Sequence, residues 1–473
     1  MSENMKLNYH EMDFLVPVHR FNIQFSYVTK QGLSFIREFV LRLVQLAPMK
    51  PSQIATYIGL NKDEVDEAIS DLMDKGDLRF NGQGLVELTP QSTGYFDGIG
   101  NPPKTSSIQE TGATLSFELC GFNCIGNKRK FDRWKQGVEL KIDNKKLSCT
   151  ENLAKETFQK EFYKYLDKEY LRGVRTEGND RPSIYTMDSV NKLTKDALRL
   201  TCKFYLDADG RPIERDDFDE LDDSTDIHEL ITKTLGQNKR PSNISKIAFA
   251  MNCFADVWTK KIFNDISISP ASFAIASAES LADMQRPQML SGPLYSEVNW
   301  KLISGRIHRC IKNRIVSGDK SIKSLVWVAP SDPYWGKSSR IIDCLMELEK
   351  LQLTSSKNPE RIYSPKLYLP ISSPSDRKTL NKWIYDFRDS ANINYGLAEG
   401  FMDGNVEILY LEDEFVVVCY HINQPENLPV TLPVGFISTD INIIKHISQI
   451  TDEYINSSTS HNNSHNFGLL RNL

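Results

Sequence analysis

With 473 residues, the chain is too long for one ordinary hydrophobic core, and at roughly 150 residues per domain it should divide into about three. Its 40% hydrophobic and 25% charged residues exclude a wholly disordered chain. The formal net charge of −5 gives the molecule as a whole no attraction for polyanions, so any nucleic-acid surface must be a local basic patch.

The opening stretch MSENMKLNYHEMDF lacks the basic region and apolar core of a signal peptide, and the chain has no uninterrupted run of about 18 apolar residues, so no membrane association is expected. Eight cysteines are scattered, with Cys120 and Cys124 alone close together. That usage fits a reducing, cytoplasmic location without a disulfide framework.

In QGLSFIREFVLRLVQLA, the residues Phe35, Ile36, Phe39, Val40 and Leu43 fall at helical spacing, opposite Arg37, Glu38 and Arg42. PSQIATYIGL predicts a short helix ending near Gly59. NKDEVDEAISDLMDKG predicts another, capped by Asn61 with Glu64 in the capping-box position, and with Val65, Ala68, Ile69 and Leu72 buried. DLRFNGQGLVELTP then alternates as two strands around Gly82-Gln83-Gly84.

In order, lengths and turn chemistry, residues 31–90 resemble a winged helix-turn-helix, which places a module at 1–95. In that fold the second helix would enter the major groove against dense phosphate charge. Here it carries Asp63, Glu64, Asp66, Glu67, Asp71 and Asp74 against Lys62 and Lys75, and the wing's Arg79 is balanced by Glu87. This acidic face is expected to dock on a partner protein or on the rest of the chain, and not on DNA.

Gly, Pro and Ser mark a linker or long loop near 95–112. A strand-loop-strand element at 113–142 follows, and its loop NKRKFDRWKQ is both basic and aromatic. Lys128, Arg129, Lys130, Arg133 and Lys135 could hold phosphates, and Trp134, with Phe131, could stack on a base. Cys120 and Cys124 have no second Cys or His pair at zinc-ligand spacing, so they read as core thiols and no cofactor is expected.

From 150 to 285 the pattern is mostly helical, with Phe158, Phe162, Leu166 and Tyr170 on one stripe; residues 96–300 are therefore read as a central, mainly helical domain. Within it, eleven acids between Asp207 and Glu229 face only Arg211 and Arg215. A calcium loop built on Gly210 would need a ligand where Tyr205 stands, so a solvated loop is expected. In WKLISGRIHRCIKNRIVSGDKSIK, burial is expected for Ile303, Ile307, Ile311 and Ile315. Arg306, Arg309, Lys312 and Arg314 should then form a basic surface for DNA or RNA.

Strands and helices alternate from SLVWVAP to INIIKHISQITDEYI, which argues for an α/β layer over 301–456. The hairpin NVEILYLEDEFVVVCYHIN, followed by an apolar strand ending in Gly-Phe-Ile-Ser and a final helix, is similar to a phospholipase D-like unit over about 322–455. Active members of that family carry HxKxxxxD, whose histidine is the nucleophile and whose lysine holds the phosphate. On this chain the motif falls on Asn405, Glu407 and Glu412, and none of the eight histidines begins an HxK triplet. The resemblance therefore implies a degenerate, non-catalytic unit, since phosphotransfer through histidine has no nucleophile here.

A rival nucleotide-binding reading takes WGKSS at 335–339 as a phosphate loop, with Lys337 and Ser338 on phosphate and Asp413 on a metal. It lacks the first glycine, which would stand at Ser331. The polar tail 457–473 reads as disordered.

The expected whole is a multidomain α/β (α+β) protein with an N-terminal winged helix, a central mainly helical domain and a C-terminal α/β phospholipase D-like layer. Its expected role is a non-catalytic, nucleic-acid-associated subunit or scaffold of a multiprotein assembly. A winged helix joined to a worn phosphodiesterase unit is similar to accessory components of prokaryotic antiviral defence or DNA-processing systems. The alternatives are a nuclease or nucleotide hydrolase, and a purely protein-binding adaptor.

Overall fold

A computed structural model describes residues 6–31, 35–101, 103, 105–127, 136–175, 181–237, 240–264, 267–283, 286–318, 321–351, 361–457 and 464–473. The chain is a mixed α/β structure containing several sheets. It begins with a 25-residue strand, β1 (Leu7–Gln31). Alternation explains it: Met12, Phe14, Val16 and Val18 are buried on one face, and Phe21, Ile23, Phe25 and Tyr27 on the other. The first set joins the core shared with the C-terminal sheet and the second a separate aromatic core.

The chain then forms α1 (Phe35–Leu46), α2 (Pro51–Ile58), α3 (Lys62–Asp74), the hairpin β2 (Leu78–Phe80) and β3 (Val86–Leu88), and the one-turn α4 (Pro90–Thr93). Asn61 and Glu64 close the expected capping box, and Val65, Ala68, Ile69 and Leu72 are buried with Val40, Leu41 and Ile54. This small unit is inserted between β1 and β4 (Thr105–Glu118), which returns antiparallel along β1 from Gln31↔Thr105 to Val18↔Glu118.

Next come β5 (Val138–Glu139), α5 (Asn144–Ser148), α6 (Thr150–Lys160), α7 (Phe162–Asp167) and β6 (Ser183–Leu206). β5 pairs parallel with β1 at Phe14–Leu15, and β6 pairs antiparallel with it from Val28↔Ser183 to Leu7↔Leu206. The central region expected to be mainly helical thus also supplies a 24-residue strand. Its signal is LRLTCKFYL, where Leu198, Leu200, Cys202, Phe204 and Leu206 alternate and are buried. Helices α8 (Thr225–Gln237), α9 (Ile244–Cys253) and α10 (Val257–Ile262), a short hairpin β7 (Phe263–Asn264) and β8 (Ser267–Ile268), and α11 (Pro270–Ala282) complete this region.

The rest contains β9 (Gln288–Ser291), α12 (Glu297–Ser317), β10 (Lys323–Val328), α13 (Arg340–Leu351), β11 (Tyr363–Ile371), α14 (Arg377–Asp386) and β12 (Asn394–Ala398). It ends with β13 (Val406–Leu411), β14 (Phe415–Ile422), β15 (Leu432–Ser438), α15 (Ile441–Asn456) and β16 (Asn466–Leu469). They build one eight-stranded sheet in the order β16-β12-β11-β10-β13-β14-β15-β9. β10, β11 and β12 run parallel and the other neighbours antiparallel.

Every residue of β13, β14 and β15 is buried, because both faces of the sheet are covered. Trp300, Ile303 and Ile307 of α12 and the apolar stripes of α13 and α14 cover one face; α15 and the core shared with β1 and β6 cover the other. The tail departs from its expected disorder. Residues 458–463 lie outside the described residues, but Asn466–Leu469 pairs with β12 and Leu470 is buried. No helix among the described residues is long and apolar enough to cross a membrane.

Candidate functional site

In open α/β sheets, clefts form where parallel strands end at their carboxyl side. At that edge β10 runs into the loop Ala329–Ser339, β13 begins and β14 ends. The odd-numbered side chains of β13 and β14 face α12 to α14, which puts Glu407 beside Cys419 and His421 on that face.

His421 is 3% exposed and sits between two carboxylates: Nδ1 is 2.8 Å from Asp332 Oδ2 and Nε2 is 3.0 Å from Glu407 Oε2. Both acids have further donors. Glu407 Oε1 accepts the indole N–H of Trp327 and of Trp335, each at 2.8 Å. Asp332 accepts the Thr431 hydroxyl at 2.7 Å and the Tyr334 amide at 3.0 Å.

Burial alone would drive the His421 proton off, yet the hydrogen bonds that its ring donates to its neighbours, Asp332 foremost, outweigh it and raise the pKa well above the ordinary imidazole value. Asp332 is likewise opposed by burial, but His421, Thr431 and the Tyr334 amide hold its carboxyl below the usual range. The cluster is therefore a cation locked between two anions, with neither ring nitrogen free to act as nucleophile or base.

His10 of β1 is buried beside this cluster. Burial, together with the positive charge of His421, outweighs the pull of Asp332 and takes its pKa down to about 4. β1 also grips the loop itself: the Asp13 amide donates to the Lys337 carbonyl at 2.7 Å, and the Asp13 carboxylate accepts from Ser339 N, Thr201 and Arg199, each at 2.8 Å.

A cleft of about 180 Å³ opens on Asp332 and His421, lined also by Arg240, Asn243, Lys246 and Asn405. Asn405 receives the Asn243 amide N–H at 2.7 Å; Asn243 also donates to the His421 carbonyl at 2.8 Å. Arg240 donates to the Ser331 carbonyl at 2.6 Å, and Lys246 lies 3.5 Å from Asp403. Ligand atoms of Glu407, Cys419 and His421 lie within 4.8 Å of one another. To hold a metal they would have to give up the Glu407–His421 bond and the Cys419 thiol proton, which burial retains. They do not fit that role as arranged.

The proposed phosphate loop is built differently from its expectation. The Gly336 amide donates to the Tyr295 hydroxyl at 3.0 Å, the Ser339 amide to Asp13, and Ser338 is 1% exposed. These groups are spent inside the protein. Asp413 lies in the β13–β14 turn, beyond Leu411 at the far end of the sheet, so the strand separates it from this loop by roughly 20 Å. The hairpin itself forms at Glu412, Asp413 and Glu414, where Glu414 pairs with Lys323 at 2.9 Å and Glu412 accepts the Ser324 amide at 3.0 Å.

Of the basic residues expected on a nucleic-acid surface, Lys128, Arg129, Lys130, Arg133, Trp134 and Lys135 lie outside the described residues. On α12, Arg309 and Lys312 are exposed and Arg306 is half-buried. Arg314 requires correction: it is 6% exposed and donates to the carbonyls of Ile362 and Ser321, tying the end of α12 to the segments that lead into β10 and β11. Conversely Ile315, expected in the core, is 57% exposed, because α12 packs through Trp300, Ile303, Ile307 and Cys310 and its last turn extends past them. On α3, Asp71 pairs with Arg37, and on the hairpin Arg79 pairs with Glu87 at 2.8 Å.

Sequence reasoning passed over the His421 cluster because Asp332 and Glu407 lie 89 and 14 residues from it. The available signal was an acid, Glu407, and a histidine, His421, placed diagonally across two otherwise apolar strands. No protein-family model, curated protein or solved structure matches the chain.

Proposed function

We propose that this chain is a non-catalytic subunit or scaffold of a multiprotein assembly that handles nucleic acid, DNA foremost. In this reading the C-terminal α/β layer is a phospholipase D-like unit whose catalytic position has become structural. The observation that carries it is the state of His421: both ring nitrogens are bonded to carboxylates inside the core; in this reading Asn405 and Glu407 stand at the motif's histidine and lysine positions. An acid where a phosphate-binding cation is needed repels the substrate, and a doubly bonded imidazole has no lone pair to attack phosphorus.

Support for nucleic acid comes from α12. Its one acid is Glu297 in the first turn, and Lys301, Arg309 and Lys312 are exposed at spacings that share a helix face. The unit at residues 35–93, read as a winged helix, offers the acidic side of α3 to a partner protein instead of to phosphate.

The test is an anisotropy titration of the full chain with duplex and single-stranded DNA at two salt concentrations, beside an Arg309→Glu/Lys312→Glu variant. Salt-sensitive association is expected, with the log-log salt slope on duplex reduced by about 2 in the variant if both residues meet phosphate. Salt-insensitive or absent binding overturns the nucleic-acid part. Phosphodiester hydrolysis that disappears in His421→Asn overturns the non-catalytic part.

A further inference from the structure

Beyond this scaffold reading, a second cavity lies where the N-terminal sheet meets the C-terminal layer. Its volume is about 680 Å³, within the usual range for small-ligand sites. Gln136–Glu139 of the β5 segment, α8, the Pro333–Lys337 stretch and α14 form its walls. Four lysines line it, Lys141, Lys233, Lys337 and Lys382, against the carboxylates Glu139 and Asp386.

Among the described residues none of the four makes an ion pair or a side-chain hydrogen bond, and Lys382 rests 5.2 Å from the centre of the Trp383 ring. This contrasts with Lys323 and Lys168, each of which meets a carboxylate. Lys337 is half-buried; burial first, and then the neighbouring charge of Lys382, lower its pKa. Several ammonium groups held around one concavity, with too few anions to match them, focus a positive field into it. A multiply charged anion would relieve that mismatch.

We infer that this cavity is a binding site for a small ligand bearing two or more linked phosphate groups, held by Lys141, Lys233, Lys337 and Lys382. Such a ligand fits the charge excess, and Tyr334 and Tyr385, which also line the cavity, offer contact for an attached base. Lys337 reaches this cavity with its side chain, while the backbone of its loop is committed to Asp13 and Tyr295. Because the walls come from both halves of the molecule, an occupant would tie the β1–β6 sheet to the α/β layer.

Calorimetric titration of the full chain with inorganic tripolyphosphate, and with orthophosphate for comparison, tests this. Saturable binding of one tripolyphosphate per chain is expected, at least tenfold tighter than orthophosphate. It should weaken at least tenfold in Lys337→Met and measurably in Lys382→Gln, an exposed position that does not risk the fold. The Arg309→Glu/Lys312→Glu variant should bind tripolyphosphate like the wild type, which separates failure here from failure of the nucleic-acid reading. Absence of saturable binding by the folded wild type overturns the inference. So does tripolyphosphate affinity unchanged in both lysine variants, or loss of DNA association without loss of tripolyphosphate binding in them.

Discussion

Replacing His421 with leucine removes the cation from between Asp332 and Glu407 and leaves two carboxylates facing each other in a space where the three side chains are at most 3% exposed. Breaking a buried pair by deleting one partner costs about 3–5 kcal/mol. For a cooperative unit of 150–250 residues that corresponds to a fall in Tm of roughly 6–20 °C. Urea titration followed by tryptophan fluorescence suits the measurement, because the indoles of Trp327 and Trp335 both bond to Glu407. The folded pKa of His421 lies well above the ordinary imidazole value of 6.5, so its stabilisation is complete below 6.5 and is lost as the pH climbs through the raised value. The gap between wild type and variant should therefore be at least as wide at pH 6 as at neutrality and shrink on the alkaline side. Converting all three residues to neutral amides, as Asp332→Asn/Glu407→Gln/His421→Gln, should recover part of the loss. A loss below about 1 kcal/mol for His421→Leu, or a gap that closes on lowering the pH from 7 to 6, would refute the description of the cluster as a buried imidazolium between two anions.

Two further outcomes follow from other parts of the molecule. A Cβ added at Gly435 would overlap the Val418 carbonyl in the neighbouring strand, so Gly435→Ala should destabilise by about 3 kcal/mol or more, read from the urea midpoint. His10 is held neutral with a pKa of about 4. A histidine depressed on folding makes stability rise with pH between its folded value and 6.5, so the wild type should gain up to about 2 kcal/mol from this group between pH 5 and 7. His10→Gln should flatten that slope, and an unchanged slope would remove His10 as its source.

Local chemistry made much of the fold legible. The Asn61 capping box, the stripe through Val65, Ala68, Ile69 and Leu72, and the hairpin turning at Glu412–Glu414 all follow from residues within one or two turns of each other. The long strands were missed for a different reason. β1 alternates on one face and then on the other, and the first half of β6 is largely polar, so neither presents one sustained apolar pattern; their pairing joins residues more than 150 positions apart. Arg314 illustrates the converse: charge at a helical position reads as surface, yet the carbonyl of the distant Ile362 and that of Ser321, just past the helix, converge on it. The site itself lay outside local reading because its acids and imidazole meet only once the sheet is assembled.

The pairing of β1 with β6 has a consequence for biosynthesis. A ribosome adding about 5–20 amino acids per second needs roughly 10–35 s to travel from residue 31 to residue 206. Throughout that interval β1 lacks the partner that lies along nearly all of its length. Its bare edge and the aromatic row Phe21, Phe25 and Tyr27 are then open to chaperones or to neighbouring nascent chains. Slowing translation between these two points should raise the fraction of newly made protein that aggregates, whereas a pause after residue 206 should not.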